Sequence, residues 1–232
     1  TAENARVCGA GSVGGRGFVV ANDGEISKMF RLRAGRTEET DRYEEVKLPK
    51  LLAEANVDLK VAPLDADRLL FYAVNLAEGS DTGVDSCFIY DATKRKDPFV
   101  EVKSPGLPLD GAAFCGGDGK VLLWGGRFAD RGCVERSSDG EFLNGEPIEN
   151  QAVLFDAASQ KWVFLDAAPG AGRVGAATMV KDGKVFLLGG EELVRIAHNQ
   201  LLVSRASSKV TTFDLEAEKF KNGDDLPAGA PS

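Results

Sequence analysis

From Gly175 to Gly190 the chain reads GAATMVKDGKVFLLGG, and from Gly111 to Gly126 it reads GAAFCGGDGKVLLWGG; the two align over sixteen positions without a gap. Each is an apolar run, an Asp-Gly-Lys turn, a second apolar run and a glycine pair. Asp-Gly between apolar runs is a strong hairpin signal, because a two-residue primed turn needs positive φ and its twist matches the flanking strands. Beyond each glycine pair comes a long polar loop and then a second matched pair, Ala152–Asp156 leading to Trp162 and Val210–Asp214 leading to Phe220. Seven positions separate Phe155 from Trp162 and Phe213 from Phe220. That spacing fits a short strand, a turn opened by Asp, and an aromatic on the next strand. Each unit is thus expected to hold four short strands.

Two weaker copies lie upstream. Leu69–Val74 takes the place of the Gly-Gly strand, Phe88–Asp91 supplies the strand ending in Asp, and Phe99 is the later aromatic. Before that, Gly17–Asn22 plays the same part, followed by Ile26–Leu32 and Tyr43. Prolines close the units at Pro49, Pro108, Pro169 and Pro227, at intervals of 59, 61 and 58. Repetition at a fixed period signals a repeat architecture. The units run approximately 5–50, 51–109, 110–170 and 171–232.

Four-stranded repeats of this length resemble the kelch repeat of β-propellers. The residues that carry the resemblance are Gly125-Gly126, Gly189-Gly190, Phe155-Asp156, Phe213-Asp214 and Trp162, and the Asp-Gly-Lys-Val turn is similar to bacterial galactose-oxidase-type propellers. The resemblance implies an all-β chain, a β-propeller of four-stranded antiparallel blades packed face to face. Four kelch-like blades are visible, at the lower limit for a ring; the chain ends where a fifth first strand would be due, so a larger ring is also open. Galactose-oxidase-like chemistry would need two histidines and tyrosines around copper. His198 is the single histidine and Tyr43, Tyr72 and Tyr90 the only tyrosines, so that site cannot be assembled within the chain.

Composition narrows the function. The chain is 43% hydrophobic and 28% charged, as a globular domain is, and its 27 glycines among 232 residues point to many turns. A net charge of −8 leaves no basic surplus for phosphates, so nucleic acid is not an expected partner. No apolar run reaches the ~18 residues of a membrane span. The single histidine and the lack of a C-x-x-C pair leave no expected metal or cofactor. Gly9-Ala10-Gly11-Ser12-Val13-Gly14 spells G-x-G-x-x-G, but glycine and β-branched residues follow where a dinucleotide site needs a helix, so it reads as strand and turn. The chain begins at Thr1, as expected of a processed or trimmed product.

The loops between second and third strands carry the functional expectation. One runs from Arg127 to about Asn150 and the other from Glu191 to about Lys209, both longer than the ~12–15 residues beyond which loops are usually functional or disordered. Arg127, Asp130, Arg131, Glu191, Glu192, Arg195, His198 and Arg205 are the candidate partner-binding residues, a mixed-charge rim where propeller ligands usually bind. Glu191 and Glu192 directly follow a glycine pair, so one is placed to face the channel mouth. No second carboxylate is paired with it in the sequence, and no catalytic residue is assigned. Cys87 and Cys133 fall on the same face of adjacent blades and form the candidate disulfide, whereas Cys8 and Cys115 read as buried thiols.

Two functions follow. The first is a non-catalytic protein-interaction or structural module that binds a protein partner or builds into a larger assembly through its long loops. The alternative is a carbohydrate-binding protein or sugar-acting enzyme with its site at the channel mouth. A Cys87–Cys133 bridge would require an oxidising compartment, so an extracellular, periplasmic or cell-surface address is expected, with the cytoplasm as alternative.

Overall fold

A computed structural model describes residues 6–23, 25–33, 43–54, 57–75, 85–107, 109–128, 135–136, 142–143, 150–166, 168–195 and 202–226. Blade 1 is β1 (Arg6–Val13), β2 (Arg16–Asn22), β3 (Ser27–Leu32) and β4 (Tyr43–Val46). A one-turn helix, α1 (Lys50–Ala53), leads to blade 2: β5 (Val57–Pro63), β6 (Arg68–Asn75), β7 (Asp85–Asp91) and β8 (Phe99–Val102). After β9 (Leu109–Asp110) come β10 (Ala113–Gly117), β11 (Lys120–Trp124), β12 (Arg127–Phe128), β13 (Glu135–Arg136), β14 (Phe142–Leu143), β15 (Ala152–Asp156) and β16 (Lys161–Phe164). Then follow β17 (Ala177–Lys181), β18 (Lys184–Leu188), β19 (Glu191–Arg195), β20 (Leu202–Ala206), β21 (Val210–Asp214) and β22 (Lys219–Asn222). Blade 3 pairs in the order β10-β11-β15-β16 and blade 4 in the order β17-β18-β21-β22, all antiparallel. The chain is all-β, and the four sheets are arranged as a four-blade β-propeller.

The turns follow the sequence chemistry. Asp118 and Gly119 take φ +53° and +82°, and Asp182 and Gly183 take +50° and +69°, the left-handed pair that a tight primed hairpin needs. Asp156 accepts from the Ser159 amide at 2.7 Å, and Asp214 from the Glu216 and Ala217 amides at 3.0 and 2.9 Å, so each opens an Asx turn. Gly9 to Val13 lies in β1 and Gly14-Gly15 forms its turn, with no helix after it.

Alternation along each strand sends one set of side chains to the preceding blade and the other to the following blade. Between blades 1 and 2, Phe18, Val20 and Met29 meet Leu59, Leu69, Phe71 and Phe88, with Leu52 of α1 closing one end. Between blades 2 and 3, Leu70, Tyr72 and Ile89 meet Phe114, Val121, Leu123 and Phe155. Between blades 3 and 4, Leu122, Trp124 and Leu154 meet Val185, Leu187 and Phe213. Each fully buried Leu, Val or Phe contributes about 1.5–3 kcal/mol relative to exposure, so the three interfaces are the main source of cohesion. The central strand β6 is buried at six consecutive positions, as expected for a strand covered on both faces.

Candidate functional site

The first-to-second and third-to-fourth strand turns gather at one end of the blades. The second-to-third strand loops and the blade-to-blade connections gather at the other. The candidate site is on this second end, at the junction of blades 3 and 4.

The glycine pairs make the junction possible. Gly125 has φ +71°, and a Cβ there would lie 2.3 Å from the Arg173 carbonyl oxygen. Gly190 has φ +90°, and its Cβ would lie 2.8 Å from the Val174 carbonyl oxygen. Glycine alone lets the segment before β17 cross this closely. Once there, it is bonded on both sides: Gly126 N donates to Arg173 O at 3.0 Å, and Val174 and Glu191 exchange N–H···O bonds of 2.9 and 2.8 Å.

Arg173 is 2% exposed. Its Nη1 donates to the carbonyls of Gly189 (2.9 Å) and Lys209 (2.5 Å), and its Nη2 to Thr211 Oγ1 (2.6 Å). The guanidinium carbon lies 4.8 Å from the Trp124 ring centroid. Burial draws its pKa below the usual arginine range, and the nearby Glu192 carboxylate opposes that shift. Glu192 is itself buried and accepts from Ser207 Oγ at 3.5 Å. Trp124 Nε1 donates to Asn150 Oδ1 at 3.1 Å, and Asn150 Nδ2 holds the carbonyls of Ala168 and Gly170 at 2.6 and 2.8 Å. Beside this group opens a cleft of about 350 Å³, lined by Arg173, Glu192, Lys209, Thr211, Asn222 and Asp225.

The long loops carry strands of their own. β19 and β20 pair over five positions, with Glu192 opposite Arg205, Glu191 opposite Ala206 and Arg195 opposite Leu202. In blade 3, β12 returns to pair with β9, placing Arg127 opposite Asp110, and β13 pairs with β14. Glu191, Glu192, Arg195 and Arg205 are therefore brought together on one hairpin, whereas Arg127 belongs to a different short sheet. Within the candidate group the two glutamates differ: Glu191 is exposed, and Glu192 is buried against Ser207 beside Arg173. Neighbours in a strand point to opposite faces, and β19 starts at Glu191. Asp130, Arg131 and His198 lie outside the described residues. So does Cys133, whereas its candidate partner Cys87 is a free thiol. Cys87 is fully buried in the interface between blades 2 and 3, and burial pushes its thiol pKa well up. Cys8 and Cys115 are half-buried.

A second charged group sits on the innermost strands of blades 1 and 2. Asp58, 1% exposed, takes a 3.0 Å bond from Arg6 Nη2 and a bond from Lys60 Nζ, and the Gly111 amide reaches it at 3.3 Å. Among the described residues no group of three His, Cys, Asp or Glu side chains is placed to hold a metal ion. No helix among them is long and apolar enough to cross a membrane.

Arg173 is the residue that sequence reading missed. It lies two positions before the aligned stretch, and the repeat has Leu109 in the corresponding place, so self-comparison gave no signal.

No protein-family profile matches the chain, and no curated protein matches it. Matches to solved structures are many, 180 chains, as expected of a widely shared architecture. One of them is the structure of YjhT, with a TM-score of 0.60 and 15% identity over 91% of this chain. At that identity the likeness is one of fold. The matched chain spans 63% of the YjhT structure.

Proposed function

We propose that the chain is a kelch-type propeller acting as a non-catalytic interaction module, which docks a protein partner or larger assembly through the loop end of blades 3 and 4. The observation that supports this reading is the anchoring of the β19–β20 hairpin. Its base is fixed by the Val174–Glu191 bridge, the Ser207 N to Gly190 O bond at 2.8 Å and the Arg173–Glu192–Ser207 group. A hairpin whose base is held in this way loses less entropy on binding than a loose loop of equal length.

The test replaces residues 195–202 by Asn-Gly, which leaves Val194 paired with Val203 across a two-residue turn. Capture from the native extract is compared by quantitative mass spectrometry for the parent and trimmed proteins. A protein retained by the parent and lost from the trimmed variant is expected; identical capture overturns the reading.

The cleft beside Arg173 favours a second reading, in which a carbohydrate is bound between Lys209, Asn222 and Asp225. Calorimetry against a glycan panel tests it: binding that disappears in Asn222→Ala supports a sugar, and a flat response sets it aside.

A further inference from the structure

At the turn end, the junction of blades 1 and 2 departs from the repeat in its charges. At the head of its second strand each of the other blades places a cation opposite an aspartate: Arg68 opposite Asp91, Lys120 opposite Asp156 and Lys184 opposite Asp214. In blade 1 the cation is Arg16, and Phe18 opposite Arg31 fixes the register. Continuing that register by two positions puts Arg33 where the other blades have the aspartate. The neighbouring positions are changed as well. In blades 2 and 3 the pairs Leu70–Ile89 and Leu122–Leu154 are apolar and buried, with Val100 and Val163 beside them on the fourth strands. Blade 1 has Phe18, Arg31 and Glu44 at those places, on the face turned to blade 2.

Blade 2 adds positive charge from the other side. Lys120 crosses to the third-to-fourth strand turn of blade 4, where its Nζ meets Leu215 O at 3.0 Å and Glu218 Oε1 at 2.7 Å. The corresponding turn of blade 2, from Asp91 to Phe99, is two residues longer than Asp214 to Phe220 and carries Lys94, Arg95 and Lys96. The carboxylates nearby are already engaged. Asp91 accepts from Thr93 N at 3.0 Å and Thr93 Oγ1 at 2.5 Å, and lies 3.9 Å from Lys94 Nζ. Glu44 accepts from Arg31 Nε at 2.8 Å and from Arg31 Nη2, with Arg33 Nε 3.8 Å from its second oxygen. Arg16 and Arg95 have no ion-pair partner among the described residues. Tyr90, 2% exposed, accepts from Arg31 Nη1 at 3.0 Å through its hydroxyl, whose own proton goes to no described residue.

These side chains line a cavity of about 490 Å³ between the two blades. Its walls carry Arg16, Arg31, Lys94 and Arg95 against Glu44 and Glu45, in a chain whose net charge is −8. Like charges gathered around one cavity repel, and an anion between them reverses the sign of that interaction. We infer that the cavity binds a small phosphate monoester, whose phosphate oxygens take hydrogen bonds from Arg16, Lys94, Arg95 and Tyr90. A carboxylate is planar, and one guanidinium satisfies it; a phosphate dianion offers three oxygens in different directions, which suits cations arriving from two blades. The volume falls within the ~300–1,000 Å³ of small-molecule sites, so there is room for a polar organic group beside the phosphate. This cavity is at the opposite end from the β19–β20 hairpin and stands independently of the proposed function.

Calorimetry on the 232-residue chain at pH 7.5 tests this with methyl phosphate, methyl sulfate and glucose 6-phosphate as probes. Methyl phosphate should bind saturably, and methyl sulfate, with a single charge, roughly tenfold more weakly. Affinity for methyl phosphate should fall at pH 5, below the phosphate pKa of about 6. Glucose 6-phosphate fills more of the cavity and should bind more tightly than methyl phosphate. Arg16→Ala/Arg95→Ala should weaken methyl phosphate binding roughly tenfold or more. Lys181→Ala/Lys184→Ala, which removes the same charge from blade 4, should leave it unchanged. Arg16 and Arg95 are exposed, so their double variant should keep the parent's unfolding midpoint. Absence of saturable methyl phosphate binding overturns the inference, and so does equal binding of methyl sulfate or no gain for glucose 6-phosphate. Equal weakening in the two double variants would mean attraction by overall charge and overturns it too. The comparison of probes needs no variant and is decisive by itself.

Discussion

The guanidinium of Arg173 lies over the indole of Trp124, 4.8 Å from its centroid, and joins blade 3 to blade 4 at the loop end. The same arginine donates to two carbonyls and a threonine hydroxyl of blade 4. Lysine can supply the charge but not the planar fork. Arg173→Lys should therefore cost about 2–4 kcal/mol by leaving buried acceptors unpaired. Urea unfolding measures this, and a loss below about 0.5 kcal/mol would show that the fork is not needed.

Two glycines with similar backbone angles should respond differently to alanine. Gly125 (φ +71°) has the Arg173 carbonyl in the way of a Cβ, whereas Gly15 (φ +69°) has nothing within 4 Å. Gly15→Ala should cost only the left-handed strain, about 1 kcal/mol, and Gly125→Ala at least twice that. Equal losses in thermal unfolding would contradict the crossing geometry.

Asp23 accepts bonds from the Ile26 and Glu25 amides at 2.9 and 3.0 Å and from Lys28 Nζ at 3.1 Å, which lower its pKa from 3.8 to about 2. A carboxyl lowered on folding contributes stability above its unfolded pKa and loses it as pH falls through the folded value. Between pH 4 and 2 the midpoint should fall, and part of that fall should be absent in Asp23→Asn. Carbon-detected NMR titration should find the Asp23 midpoint near 2, and a midpoint near 4 would show the turn to be open.

Thiol chemistry offers a further check, made in a Cys133→Ser background. Burial raises the pKa of Cys8, Cys87 and Cys115, most strongly for Cys87, which has no exposed surface. With a disulfide reagent at pH 8, Cys87 should react only on global unfolding, after the half-buried Cys8 and Cys115. Early labelling of Cys87 would mean that blades 2 and 3 separate readily.

Much of the blade pattern was legible because it depends on local chemistry. Asp118-Gly119 and Asp182-Gly183 specify their turns, and Phe155 and Phe213 pair with Trp162 and Phe220 in register, as their spacing implied. Blades 1 and 2 form without the glycine pair because continuous apolar runs such as Leu69–Val74 still specify a strand covered on both faces. What was hidden depends on partners distant in sequence. The sequence of β19 and β20 mixes charged and apolar residues without a clear period, which is the pattern of a polar loop. The burial of Glu192 is set by Ser207, fifteen positions on, and by Arg173, whose place in the repeat is not shared.

The three apolar clusters have no residue in common, and each is confined to one pair of neighbouring blades. Cohesion in such an array is a sum of nearest-neighbour couplings, so loss of order should begin at a terminal member and travel inward. β17 is exposed at all five positions, whereas β6 is buried at six of eight. Amide exchange should accordingly form a gradient, fastest in blade 4 and slowest along β6. The hairpin proposed to meet a partner is rooted in the blade that frays first, so binding there would tighten the least cooperative end of the chain.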